Sequence, residues 1–433
     1  MTRGGLAAAG ASERMTSLER EMAVGNILPL REQARIVNAW LRERLETILP
    51  RIMEREGLEA WIVVAREYNE DPVSLTLVPE PAMAARRRTI LVFHLAEPGR
   101  VERFTLDRYS PGDLYQAAWK PEEEDQWECL SRLIRELNPS TIGINVSETF
   151  AFGDGLTHSE HGRLIEALGP EYASRTRSAE GLAVGWLETR IPSEMEVYHG
   201  IVRLCHDVIE EAYSSRQVHP DVTTTEDLSW WIRQKISDLG LESWFQPSID
   251  LQRADRSGVD LRGSIRAGDL LHCDVGLRYL GLVTDIQRHA YVLRPGEKGA
   301  PRGLERALRA GNRAQDILAG CFEAGKSGNQ ILREARTAAE REGLKATFYT
   351  HPLGIHGHGA GPTIGLWDNQ EGIPGRGDYR LHEDTCYALE LNVMHPVEEW
   401  DREVRIALEE DIVFKGGEVQ YLAGRQEQLY IIG

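Results

Sequence analysis

Two carboxylates, Asp274 and Asp285, lie in the stretch GDLLHCDVGLRYLGLVTDIQRHAYVL, residues 268–293. Two apolar, β-branched runs there flank a turn around Arg278 to Gly281, the signature of a β-hairpin. Folding about the Tyr279–Leu280 midpoint would make the two acids a cross-strand pair with Cβ atoms about 5 Å apart, where like charges repel. In a core, such a pair needs a cation or a shared proton. In another register both acids would face solvent. A second cluster follows, His351-Pro-Leu-Gly354-Ile-His356-Gly-His358-Gly-Ala-Gly-Pro362. Its glycines let backbone approach a ligand, and neutral imidazoles are common metal ligands; a solvated loop is the plainer alternative. Glu390 then interrupts the apolar run Tyr387–Val393, and Arg405 and Glu409 interrupt Val404–Phe414. A lone acid in a strand commonly just faces outward. Four interruptions, each at a local peak of hydrophobicity, are harder to read that way.

The elements that would carry these residues divide at Glu188–Ser193. Upstream, helical periodicity runs from Leu30 to Arg55, with a kink or break expected at Pro50. Strands are expected at Ala60–Val64, Thr89–His94, near Phe104 and at Thr141–Asn145, with a helix over Trp127–Leu137. This alternation predicts an α/β domain over residues 26–188, after a flexible leader over 1–25. Downstream, Ser193 is a candidate cap for a helix from Glu194 to about Ser214, and Thr223-x-x-Glu226 is a capping-box pattern for the next. The hairpin, two helices (Gly303–Ala324 and Asn329–Glu342) and a Gly-rich, strand-like remainder predict an α+β domain over residues 189–433.

Composition narrows the function classes. With 433 residues, 41% hydrophobic and 27% charged, the chain can bury a large core. A formal net charge of -18 argues against nucleic acid or an anionic membrane as partner. No apolar run is long enough to span a bilayer, and the N-terminus lacks the apolar segment of a signal peptide. Cys129, Cys205, Cys273, Cys321 and Cys386 are scattered and odd in number, which suits buried free thiols in a reducing cytoplasm.

In order and spacing, Asp274 and Asp285, then His351-x-x-Gly354-x-x-x-His358, then Glu390, then Glu409 ahead of Asp411-Ile-Val, resemble the pita-bread metallopeptidases. These are the creatinase/aminopeptidase P/prolidase group with the methionine aminopeptidases. The resemblance covers about Ile191 to the C-terminus, and the upstream domain looks like the creatinase-type N-terminal domain. It implies a pita-bread catalytic domain in which Asp274, Asp285, His351, Glu390 and Glu409 hold two divalent ions. His358 would be the histidine that handles protons or substrate, and Arg405 lies near the place of a last-strand arginine. Four carboxylates and an imidazole suit manganese first, with zinc or cobalt as alternatives. Two such ions about 3.5–4 Å apart would acidify a bridging water for attack on a peptide carbonyl. Arg405, four residues before Glu409, would share its face of a regular strand and hold Glu409 or a substrate carboxylate.

The resemblance thus implies a cytoplasmic, homodimeric Xaa-Pro aminopeptidase or prolidase-like enzyme acting on small peptides through a metal-bridged hydroxide. Alternatives are hydrolysis of a small non-peptide substrate, as in creatinase, and a non-catalytic binding protein on the same scaffold. Several substrate-handling positions depart from the pattern. No histidine lies between His219 and His272, Thr347 stands four residues before His351, Asp285-Ile-Gln287-Arg288 replaces D-x-T-R, and Glu390-Leu391-Asn392 replaces Glu-Pro-Gly. His272, His356 and His382 are the remaining candidates to substitute.

Overall fold

Residues 268–293 do fold back on themselves, but around Leu280–Gly281, which both adopt positive φ (53° and 77°). Paired positive φ values make the tight hairpin turn that matches strand twist, and Gly281 takes that conformation without cost. The turn joins β10 (Arg278–Tyr279) to β11 (Leu282–Val283), and the same register continues between β9 (Leu270–Val275) and β12 (Ile286–Val292). Asp274 therefore pairs with Gln287, not with Asp285. The expected midpoint was one residue early, which displaces the partner by two and keeps both acids on one face. Gly276, just past the end of β9, stands where a Cβ would lie 2.2 Å from Trp244 Nε1.

The computed structural model describes residues 27–109 and 112–433; the expected leader over 1–25 lies outside them. The chain divides into two compact units, one over 29–191 and the other made chiefly of 192–433.

In the N-terminal unit, α1 (Leu30–Glu56) runs through Pro50 as one helix, so the expected alternative of a break into two helices does not occur. Pro50 is buried with Leu45, Ile48, Leu49, Ile52 and Met53, so packing offsets the lost hydrogen bond. The mixed sheet has the order β4-β3-β2-β1-β5-β6. Its strands are β1 (Ala60–Arg66), β2 (Arg88–Glu97), β3 (Arg100–Thr105), β4 (Gln116–Ala117), β5 (Ile142–Ile144) and β6 (Thr176–Ser178). Ala60, Ile62, Val64, Ile90 and Val92 on one face pack against Leu130, Leu133 and Ile134 of α2 (Gln126–Leu137) and Leu164 and Leu168 of α3 (His158–Ala173). The unit ends in α4 (Glu180–Glu188).

The C-terminal unit begins with α5 (Pro192–Ala212) and α6 (Thr225–Asp238). The capping box of α6 is Thr224 with Asp227, one residue beyond the expected Thr223 and Glu226. β7 (Ser248–Arg253) and β8 (Arg256–Asp260) join a five-stranded sheet of order β20-β12-β9-β7-β8. After α7 (Arg302–Ala319) and α8 (Gly328–Arg341) come β13 (Lys345–Phe348), β14 (His351–Leu353), β15 (Thr385–Ala388), β16 (Leu391–Val397), β17 (Arg402–Leu408), β18 (Asp411–Lys415), β19 (Glu418–Tyr421) and β20 (Tyr430–Ile432). They form a three-stranded sheet, β13-β16-β17, and a four-stranded one, β14-β15-β18-β19. Three times the chain passes between these sheets within one or two residues: at Tyr349–Thr350, Leu389–Glu390 and Glu409–Glu410. Phe348, Tyr387, Leu389, Leu391, Ile412 and Phe414 at these passages pack under Ile317, Leu318, Ile331 and Leu332 of α7 and α8. The passages are thereby fixed from below by a closed apolar layer. Among the described residues no helix is long and apolar enough to cross a membrane. The five cysteines are free, and all but the half-buried Cys321 are buried.

Candidate metal centre

The three passages and the hairpin bring the predicted residues to one place. His351 opens β14, Glu390 lies between β15 and β16, Glu409 lies between β17 and β18, and Asp285 immediately precedes β12. Thr350 fixes the Glu390 passage, since its hydroxyl donates to the Glu390 carbonyl and accepts from the Glu390 N–H, both at 3.0 Å. The Gln287 N–H donates to the Glu409 carbonyl at 3.2 Å, tying the five-stranded sheet to the same point. Asp411 accepts from the Asp285 N–H at 3.1 Å, which orients that backbone.

His351 Nε2 stands 3.6 Å from Asp285 Oδ2, 3.4 Å from Glu409 Oε1 and 3.9 Å from Glu390 Oε2. Asp274, Asp285 and Glu409 form a second group, with one oxygen of each lying within 4.8 Å of the others. Asp285 and Glu409 are almost fully buried. Burial, then the neighbouring carboxylates, pushes Asp285, Glu390 and Glu409 well above the usual carboxylate range. Burial lifts Asp274 to about 6, against the pull of His272 and His351. Asp274 Oδ1 and Glu409 Oε1 are buried without a hydrogen-bond partner among the described residues. Buried acceptors without donors are costly, and a cation satisfies them. An oxygen-rich set with one imidazole fits divalent ions such as manganese, zinc or cobalt.

His358 is open to solvent, its ring 4.8 Å from that of His351 and edge-on to it. It also falls within ligand reach of Asp285 and His351. Desolvation, then the neighbouring His351 and Arg376, holds its imidazole below the usual range. Arg405 is not on Glu409: β17 ends at Leu408, and the Arg405 guanidinium donates to Asp250 Oδ2 at 3.0 Å. The regular spacing assumed between the two breaks at the sheet passage. His272 lies against Asp250 and Gln287, whereas His356 and His382 join none of the potential metal groups among the described residues.

Sequence reasoning passed over several residues that fasten the site. Gln287 donates to both Glu390 Oε1 (2.5 Å) and Glu409 Oε2 (2.8 Å). Arg288 pairs with buried Glu410 at 2.6 Å and donates to His206 Nε2 at 2.7 Å. Burial, then Arg288 and Arg203, depresses His206 to about 3, consistent with a neutral acceptor. The visible signal was the acidic run Glu409-Glu410-Asp411 inside an otherwise apolar segment.

One family model accounts for this fold and this gathering of carboxylates. The model of metallopeptidase family M24 matches residues 197–415, and the chain belongs to that family. No curated protein matches it. Among solved structures, it is similar to the X-Pro aminopeptidase of Thermotoga maritima, with TM-score 0.61 and 16% identity over 87% of this chain and 99% of that one. It is likewise similar to the Xaa-Pro dipeptidase of Bacillus anthracis, with TM-score 0.61 and 17% identity over 90% and 99%. The N-terminal domain of FACT complex subunit SPT16 from chickpea shares the architecture, with TM-score 0.53 and 15% identity over 91% and 99%. At these identities the likeness shows the fold: an α/β N-terminal domain followed by the M24 domain.

Proposed function

We propose that this protein is a dinuclear-metal hydrolase that cleaves peptide bonds next to proline, as an Xaa-Pro aminopeptidase or a prolidase-like peptidase. The observation that carries the reading is the convergence of Asp274, Asp285, His351, Glu390 and Glu409, with two buried carboxylate oxygens left without donors. These five residues would hold the ions, manganese first and zinc or cobalt next. Two divalent ions would supply Lewis acidity and an acidified water. His358 accepts and returns a proton at a ring nitrogen, and a depressed imidazole is suited to accepting one near neutrality. The apolar layer beneath the three passages keeps the carboxylates from relaxing away from one another. Small peptides are the proposed substrates, and the working form is proposed to be a cytoplasmic homodimer.

The test is a panel of X-Pro dipeptides and longer X-Pro peptides offered to Mn²⁺-loaded protein with and without chelator. Turnover abolished by the chelator supports the reading, and none across the panel at full metal occupancy refutes it. A second reading, a binding protein, draws on the departures at Thr347, Gln287 and Leu391-Asn392. It predicts metal-dependent association with a partner and no turnover.

A further inference from the structure

Gln287 is buried and employs both ends of its carboxamide at the site. Nε2 donates to Glu390 Oε1 and Glu409 Oε2, and Oε1 lies 2.8 Å from His272 Nε2. The flipped amide would turn its oxygen onto two carboxylates, so the carboxylates dictate the orientation. His272 Nδ1 is 2.9 Å from Asp250 Oδ2, the oxygen that also accepts from Arg405. Register explains this chain of contacts. Ser248, Asp274 and Gln287 form one rung across β7, β9 and β12, and Asp250, His272 and His289 form the next rung of the same face. A face that would ordinarily be apolar thus carries a continuous polar row from Arg405 to Glu409.

We propose that Gln287 is a positioning residue for the metal centre. Its amide draws one oxygen of Glu390 and one of Glu409 aside. The other two, Glu390 Oε2 and the Glu409 Oε1 that makes no hydrogen bond among the described residues, are left toward His351 and the ions. His272, backed by Asp250, holds the amide in that orientation. The inference rests on reading these glutamates as metal ligands, and it holds whatever the substrate.

Gln287→Met keeps the side chain's length and removes its donors and acceptor. The test titrates Co²⁺ into the metal-free full chain by calorimetry and records the visible absorption of the loaded protein. Residues that orient metal ligands commonly contribute about 10- to 100-fold to affinity, and Gln287→Met is expected to lose that much and to shift the Co²⁺ bands. His272→Ala should lose less, and its effect should vanish in the Gln287→Met background, because both act through one amide. Should Gln287→Met fail to fold, His272→Ala alone decides by the same two readouts. Wild-type affinity within about twofold and unchanged bands overturn the inference while the metal reading stands. Lower thermal stability with unchanged bands also overturns it, since that is packing alone. Wild-type protein that takes up no Co²⁺ overturns both.

Discussion

Replacing Asp285 by asparagine should invert its effect on stability according to whether metal is present. In the metal-free protein, Asp274, Asp285 and Glu409 offer oxygens all within 4.8 Å of one another. At that distance and an effective dielectric of about 20, each like-charge pair costs roughly 3.5 kcal/mol. Asp285→Asn abolishes two of the three pairs, worth roughly 7 kcal/mol at that outer distance if all groups were ionised. Burial and mutual repulsion raise Asp285 and Glu409 well above the usual carboxylate range, and that tendency toward the neutral form relieves part of the cost. A gain of about 1–3 kcal/mol for the variant in chelator at pH 8 is the expected remainder. With Mn²⁺ at a thousandfold over Kd, wild type gains about 4 kcal/mol for one ion, and the variant gains less because it loses at least one. The order of thermal midpoints should therefore reverse between chelator and Mn²⁺, with elemental analysis reporting the missing ion. A variant less stable than wild type in chelator, or one that keeps two ions, would refute the account.

Other substitutions separate the roles. His351→Ala should lose both metal and turnover, whereas His358→Ala should keep its ions and lose most of kcat; elemental analysis beside X-Pro kinetics distinguishes them. Arg405→Ala should keep both ions at saturating metal, because the guanidinium reaches the proposed ligands only through Asp250, His272 and Gln287; loss of an ion at saturation would contradict this. Glu188 has both carboxylate oxygens buried without hydrogen-bond partners among the described residues, and burial lifts it from 4.5 to about 8, against Arg55 and Arg190. The folded state therefore holds a proton that the unfolded state releases, and stability falls as pH rises from about 4.5 to 8, then levels off. Glu188→Gln should match wild type near pH 4.5 and exceed it by a few kcal/mol, with a ceiling of roughly 5, above pH 8. Parallel pH profiles of the thermal midpoint for the two proteins would sink this.

The five proposed ligands were legible because each sets a charge or an imidazole into an apolar or Gly-rich run, a pattern that has few plain explanations in a strand. Gln287 was legible only as a departure from D-x-T-R. A neutral amide breaks no pattern, and its partners lie on strands that meet it through register. That register turns on Gly281, whose positive φ moves the hairpin by one residue and hands Asp274 a different partner. Arg405 misled for a related reason: regular alternation was extended across Leu408–Glu409, where the chain leaves one sheet for another. Pro50 was judged by its missing N–H, whereas burial among leucines and isoleucines carried α1 through it.

The distribution of the proposed ligands along the chain has a consequence for synthesis. Asp274 and Asp285 leave the ribosome early in the C-terminal unit, while Glu409 follows close to the end. Until β17 and β18 are made, Glu409 is absent, the Gln287–Glu409 bridge cannot close, and the Glu390 passage lacks its neighbour. Non-local pairings of this kind form only after their loop-closure entropy has been met. A nascent chain halted before residue 402 would hold Asp274, Asp285, His351 and Glu390 without Glu409 and should take up divalent ions poorly. Metal capture would then follow the making of β17 and β18, and a chain halted earlier would forgo the stabilisation that bound ions would confer.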